Sequence, residues 1–183
     1  MKRNRLCSSW AKVLGCVLLV VALAACRSTV RVPDAAQPTA QQASVFPDYR
    51  DVVIPPNIAP LNFQVNNPAD EIVVQIKGQR GEPLVAEAEM AGKLRFDSTE
   101  WRRLLTDNRG GQLSVEVFTQ HEGQWLQHPA WKWTVAAEPI DSFLTYRLIE
   151  PSYELYRQLG LYERNLTNFD EHPIYENNDT FEE

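Results

Sequence analysis

From Leu61 to Leu148 the apolar residues of this chain recur mostly at every second position. That period is the signature of half-buried antiparallel strands, because successive side chains of a strand point to opposite faces. Leu61, Phe63 and Val65 alternate with polar partners, and Ile72, Val74 and Ile76 do the same after the turn cluster Asn66-Asn67-Pro68-Ala69-Asp70. Gly78 to Pro83 makes the next turn, and Leu84, Ala86, Ala88 and Met90 then share one face while Val85, Glu87 and Glu89 share the other. Lys93 to Phe96 is a further short strand. Leu113, Val115 and Val117 alternate before Gly123, Trp125 leads through Pro129 to Trp131, Trp133 and Val135, and Phe143 to Leu148 reads as a last strand.

One helix interrupts the series. Trp101, Leu104 and Leu105 fall at i, i+3, i+4 and form one apolar stripe, with Arg102 and Arg103 facing outward. Asp97 or Ser98 caps its start, Glu100 stands three residues after Asp97 in capping-box spacing, and Asn108-Arg109-Gly110-Gly111 ends it. About seven strands and one short helix predict a mainly β fold, an immunoglobulin-like antiparallel β-sandwich over residues 46–150. The Cys…Trp…Cys spacing of true immunoglobulin domains is missing, so the expectation concerns architecture alone.

The flanks differ in texture. Arg27 to Val45, with Pro33, Pro38, three Gln and many small residues, reads as a flexible tether. Phe46 to Pro60 holds four prolines and is expected to run extended along the domain edge. Beyond Pro151, residues 152–159 suit one or two helical turns, and residues 165–171 read as loop. Residues 170–183 carry six acids and no Lys or Arg, so residues 151–183 read as an extension or linker toward a missing or separate domain.

The chain opens with Lys2, Arg3, Arg5 and Lys12, followed by an apolar run from Val13 to Ala25. A basic head, a short apolar core and small residues before a cleavage point describe a secretory signal, and the run is shorter than the ~20 residues a membrane span needs. Leu23-Ala24-Ala25-Cys26 resembles the bacterial lipobox. That resemblance implies cleavage before Cys26 and a covalent lipid on its sulfur, with residues 1–25 removed and residues 26–45 leading from the lipid to the domain. Arg27, rather than Asp, follows that Cys. Where an Asp there retains lipoproteins at the inner membrane, its absence implies the outer membrane.

Removing residues 1–25 from the 183 leaves 158 residues, room for one domain and its linkers. The signal takes four of the 18 Lys and Arg and none of the 24 Asp and Glu, so the remainder carries 14 basic and 24 acidic groups, a net charge of −10. This argues against nucleic acid, whose binding needs basic clusters on phosphates, and against electrostatic docking on anionic lipid. Cys7 and Cys16 leave with the signal and Cys26 is taken by lipid, so disulfides, thiolate metal sites and Cys nucleophiles are excluded from the domain.

No catalytic constellation stands out. His121, His128 and His172 have no metal-ligand spacing, Ser98, Ser114, Ser142 and Ser152 lack a nucleophile-elbow context, and Gly110-Gly111 lacks the residues of a phosphate loop. Glu87 and Glu89 are neighbours on one strand face, whereas glycoside hydrolysis needs carboxylates opposed across a cleft. No enzymatic activity, cofactor or metal is expected beyond the lipid on Cys26. The aromatic residues are the remaining candidates. Trp125, Trp131 and Trp133 share strand parity, and two readings stay open: a core lining, or an exposed face that stacks on sugars or grips a partner. Tyr153, Tyr156 and Tyr162, with Phe169, form a second group that either packs on the domain or docks a partner.

Three segments carry a further resemblance: Phe46-Pro47-Asp48-Tyr49, Val53 to Phe63, and Leu161 to Glu171 followed by Ile174-Tyr175-Glu176-Asn177-Asn178. They resemble the N-terminal region of large bacterial TolB-like β-propeller lipoproteins, over roughly residues 46–180. The resemblance implies a sandwich ahead of a propeller, and no catalytic residue is carried over. Many such proteins continue with a haem-type Cys-x-x-Cys-His, which this sequence lacks, as it lacks the propeller. The expected role is therefore a lipid-anchored, envelope-facing interaction module, with Trp131, Trp133, Tyr153, Tyr156 and Tyr162 as contact residues and a separately encoded propeller or other envelope protein as partner. A glycan-binding module using Trp131 and Trp133, and a truncated fragment without independent function, are the alternatives.

Overall fold

The computed structural model describes residues 30–148 and 160–176. The signal segment, Cys26, Tyr153, Tyr156 and residues 152–159 lie outside them. Every element below belongs to the unit Arg31–Glu183. In chain order these are β1 (Gln37–Pro38), β2 (Val45–Phe46), β3 (Val53–Ile54), β4 (Phe63–Val65), β5 (Glu71–Lys77), β6 (Leu84–Glu87) and β7 (Lys93–Leu94). They continue with α1 (Ser98–Asp107), β8 (Gln112–His121), β9 (Gln124–Gln127), β10 (Trp131–Val135), β11 (Phe143–Leu148), β12 (Gly160–Asn165) and β13 (Glu171–Glu176). The molecule is mainly β with one helix, in a sandwich-like arrangement. Among the described residues no helix is long and apolar enough to cross a membrane.

Strand β8 organises the main sheet. One edge pairs antiparallel with β5, which carries β6 on its far side. The other edge pairs with β10 over its first half and with β9 over its second, and β3 and β1 extend these as short parallel strands. The small sheet β2-β4-β7 and helix α1 supply the opposite layer of the core. Val74, Ile76, Leu113, Val115, Val117, Trp133 and Val135 face it from the main sheet, and Phe63, Val65, Leu94, Trp101, Leu104 and Leu105 face back. Alternation puts this side of the strands in the core, and on the central strands β5 and β8 the opposite side is covered too, with Val73, Glu116 and Phe118 buried.

Helix α1 starts where its cap is. The Asp97 carboxylate accepts from the backbone N–H of Thr99 at 2.9 Å and of Glu100 at 3.0 Å, satisfying two donors that a first turn leaves open. At the other end Asn108, almost fully buried, accepts from the N–H of Arg80 at 3.1 Å and donates to the carbonyls of Arg80 and Leu104, each at 2.9 Å. It thereby ties the β5–β6 turn to the helix end.

Two expectations are corrected. Residues 27–45 do not run free as far as Val45. Gln37–Pro38 pairs with β9, Ala43 is buried, and Val45 pairs with Val65. These short strands are set by distant partners, so no local period announces them. Residues 171–176 are not linker but strand β13 of a third sheet, β11-β12-β13, with residues 166–170 as the hairpin loop between β12 and β13.

Candidate functional site

Trp131 and Trp133 belong to the core and not to a contact surface. Trp133 is fully buried and Trp131 nearly so. The Trp133 ring meets Trp101 edge-on at 5.9 Å and Phe63 at 6.4 Å, and Phe63 also meets Trp131 at 6.1 Å. The Trp133 indole N–H donates to the Tyr49 carbonyl at 2.6 Å. Neither ring can stack on a sugar or reach a partner from there. Trp125 does not share their face either. Gln127 pairs with Phe118 and Trp131 with Val115, so three residues (128–130) face two on β8. This one-residue bulge at Pro129 inverts the side-chain parity between β9 and β10. His128 sits in the bulge, buried. Its Nδ1–H donates to the Gln41 carbonyl at 2.8 Å, and its Nε2 lies 2.9 Å from the Thr119 hydroxyl. It is a fastening for the N-terminal segment.

The third sheet is where the molecule is incompletely covered. Six of the ten large apolar side chains exposed among the described residues lie on it: Phe143, Leu144, Leu148, Leu161, Ile174 and Tyr175. A seventh, Phe169, is in its hairpin loop. The register puts Leu144, Tyr146 and Leu148 on one face with Tyr162 and Arg164, and Phe143, Thr145 and Arg147 on the other with Leu161 and Glu163. Apolar side chains are therefore exposed on both faces. The sheet is attached through the proline-rich segment: the Ala59 N–H donates to the Leu166 carbonyl at 2.8 Å, and the Asn57 side chain bonds both the N–H and the carbonyl of Ile140.

Its polar order sits on the Tyr162 face. Tyr146 and Tyr162 stack, ring centroids 6.0 Å apart and planes at 25°. The Tyr146 hydroxyl donates to Glu171, which also receives Arg164 at 2.6 Å, and the Tyr162 hydroxyl donates to Glu176 at 2.7 Å. The hydrogen bond to Glu171 holds Tyr146 protonated above the ordinary tyrosine range, and the bond to Glu176 does the same for Tyr162. Tyr146, and then Arg164, hold the Glu171 carboxyl below its ordinary range. Gly160 makes room for this stack, since a Cβ there would lie 2.6 Å from the Tyr162 ring.

Of the candidate contact residues that are among the described ones, Tyr162 is on this surface, half-buried. It pairs with Tyr146 across β11 and β12, a contact that no local period announces because residues 160–176 carry no strand alternation. The strand β11 has no partner on its outer edge among the described residues, and it contains neither Pro nor Lys to block one. The opposite edge strand, β13, is interrupted by Pro173 and a register shift.

Two hollows among the described residues lie away from the third sheet. The larger, of about 580 Å³, runs between the 66–70 turn and residues 87–92 and is lined by Asp70, Glu71, Glu87 and Glu89. Glu87 and Glu89 are exposed at its rim, side by side and not opposed across a cleft. The smaller, of about 370 Å³, lies on the outer side of β2-β4-β7. Compared with family models, with curated proteins and with solved structures, the chain matches none.

Proposed function

We propose that this chain is a lipid-anchored envelope protein that works as a non-catalytic interaction module, contacting its partner through the sheet β11-β12-β13. Cys26 carries the lipid, and the outer membrane is the membrane that Arg27 favours. The observation that carries the reading is the concentration of exposed Phe143, Leu144, Leu148, Leu161, Ile174 and Tyr175 on one small sheet. Exposed apolar surface gathered in one place favours association, whereas apolar residues scattered singly do not. The edge of β11, without a partner among the described residues, suits an added strand, in which main-chain hydrogen bonds give affinity and alternate side chains give register. The resemblance of residues 46–180 to the front of TolB-like lipoproteins favours a β-propeller as the partner.

The test is recovery of the tagged, full chain from solubilised membranes, beside a Leu144→Asp/Ile174→Asp variant. A membrane protein recovered in stoichiometric amount with the native chain and lost with the variant supports the reading. Equal recovery with both, while both remain folded, overturns it.

A further inference from the structure

We infer that the outer side of the small sheet β2-β4-β7 is a binding site for acidic sugar, a uronate unit within a polysaccharide. The pairing Phe46–Gln64–Lys93 sets these three side chains in one row across the sheet, since partners directly opposite share a face. Two strand spacings make that row about 10 Å long. Their neighbours in sequence point inward: Val45 is opposite Val65, and Phe63 opposite Leu94, with Val65, Phe63 and Leu94 all in the core. Asn62 and Arg95 flank the row, and together these residues line the hollow of about 370 Å³.

Each part has a role toward such a ligand. Phe46 is 67% exposed, and its ring offers a flat apolar face to the C–H side of a pyranose. The strand that carries it is fixed at its start through Ser44, whose carbonyl accepts from the Asn66 N–H at 2.7 Å and whose N–H donates to the Asn67 side chain at 2.6 Å. The Asn62 side-chain oxygen Oδ1 accepts from the Phe96 backbone N–H at 3.0 Å, which leaves the side-chain NH2 to donate to a sugar hydroxyl. Gln64, half-buried, adds a second amide.

The charge selects the acid. In a chain with 24 acidic and 18 basic residues, this hollow is lined by Lys93 and Arg95 and by no Asp or Glu. Arg95 reaches Glu89 only at 3.7 Å with both side chains largely exposed, so its guanidinium is available to a carboxylate in a paired geometry. Lys93 makes no ion pair among the described residues. A neutral sugar would use the ring and the amides and leave both cations idle. The site is separate from β11-β13, so it stands whether or not that sheet binds a protein.

The experiment is calorimetric titration of the purified full chain in detergent with tetrasaccharides of galacturonate, of mannuronate and of alternating glucuronate, and with maltotetraose as the neutral control. At least one acidic tetrasaccharide is expected to bind about tenfold or more tightly than maltotetraose, and to weaken severalfold as salt rises to about 0.5 M. Phe46→Ala and Lys93→Glu are each expected to weaken it about tenfold, one through the ring and one through the charge. Both side chains are exposed, and circular dichroism checks that each variant is folded. Absence of binding by all three acidic tetrasaccharides, equal binding of maltotetraose, or binding that ignores both substitutions overturns the inference.

Discussion

The rings of Tyr146 and Tyr162 stack at 6.0 Å while their hydroxyls donate to different carboxylates, Glu171 and Glu176. Two strands of the exposed sheet are thus joined by a contact whose strength depends on protonation. Both tyrosines are raised above the ordinary value of about 10, so their contribution is complete below that pH and is lost as pH rises through the raised values. Glu171 is lowered, so its contribution is complete above about pH 4.3 and is lost as pH falls through the lowered value. Ultraviolet titration of tyrosinate is expected to show two tyrosines ionising above the ordinary tyrosine range, and Glu171→Gln with Glu176→Gln to bring them back. Uniform ionisation of all tyrosines near pH 10 would contradict the arrangement.

Gly160→Ala is expected to disturb this sheet and leave the core intact. The added Cβ would lie 2.6 Å from the Tyr162 ring, closer than atoms approach, so the ring must move. Hydrogen exchange should speed up across β12 and β13 and remain unchanged at Val74, Val115 and Val117. Unchanged exchange in β12 would contradict the packing.

Trp133→Ala removes a side chain that is wholly buried between Phe63 and Trp101. A cost of about 3–5 kcal/mol in denaturant unfolding is expected, as for other large-to-small core changes. A stability change below about 1 kcal/mol would place the residue at the surface instead, where single substitutions usually stay within ~0.5 kcal/mol.

Asn108→Ala takes away three hydrogen bonds at once, to Arg80 N–H, Arg80 carbonyl and Leu104 carbonyl, in a buried position. Loss of about 2–3 kcal/mol is expected, since the Arg80 N–H and carbonyl lose these partners while the Leu104 carbonyl keeps only the backbone N–H of residue 108. Asn108→Asp is expected to recover only part of it, since a carboxylate keeps the acceptor and loses both donors. Equal stability of the native chain and both variants would contradict this.

Much of the fold is legible in the sequence wherever a strand or helix carries its own period. Strands β4, β5, β6, β8, β10 and β11 and helix α1 with its Asp97 cap follow from alternation, stripe and capping spacing. What was hidden depends on partners far along the chain. Gln37–Pro38 and Val45–Phe46 are strands only because Gln127 and Val65 wait for them. The bulge at residues 128–130 separates Trp125 from Trp131 in face, and a period counted straight through Pro129 misses it. Gly160 to Glu176 mixes charged and apolar residues because both faces of its sheet are exposed, so no alternation marks it. Trp131 and Trp133, read from period alone as either core or contact surface, are core, and Tyr162 stacks on Tyr146, while Tyr153 and Tyr156 lie outside the described residues.

The most direct measurement is photo-crosslinking in intact cells from a photoreactive residue at position 144, on the exposed sheet, beside the same residue at position 132, exposed on β10 of the main sheet. A discrete adduct with one envelope protein from position 144 and none from position 132 is the expected result. No adduct from position 144, or the same adducts from both positions, would contradict the claim that β11-β12-β13 is the surface through which this protein works.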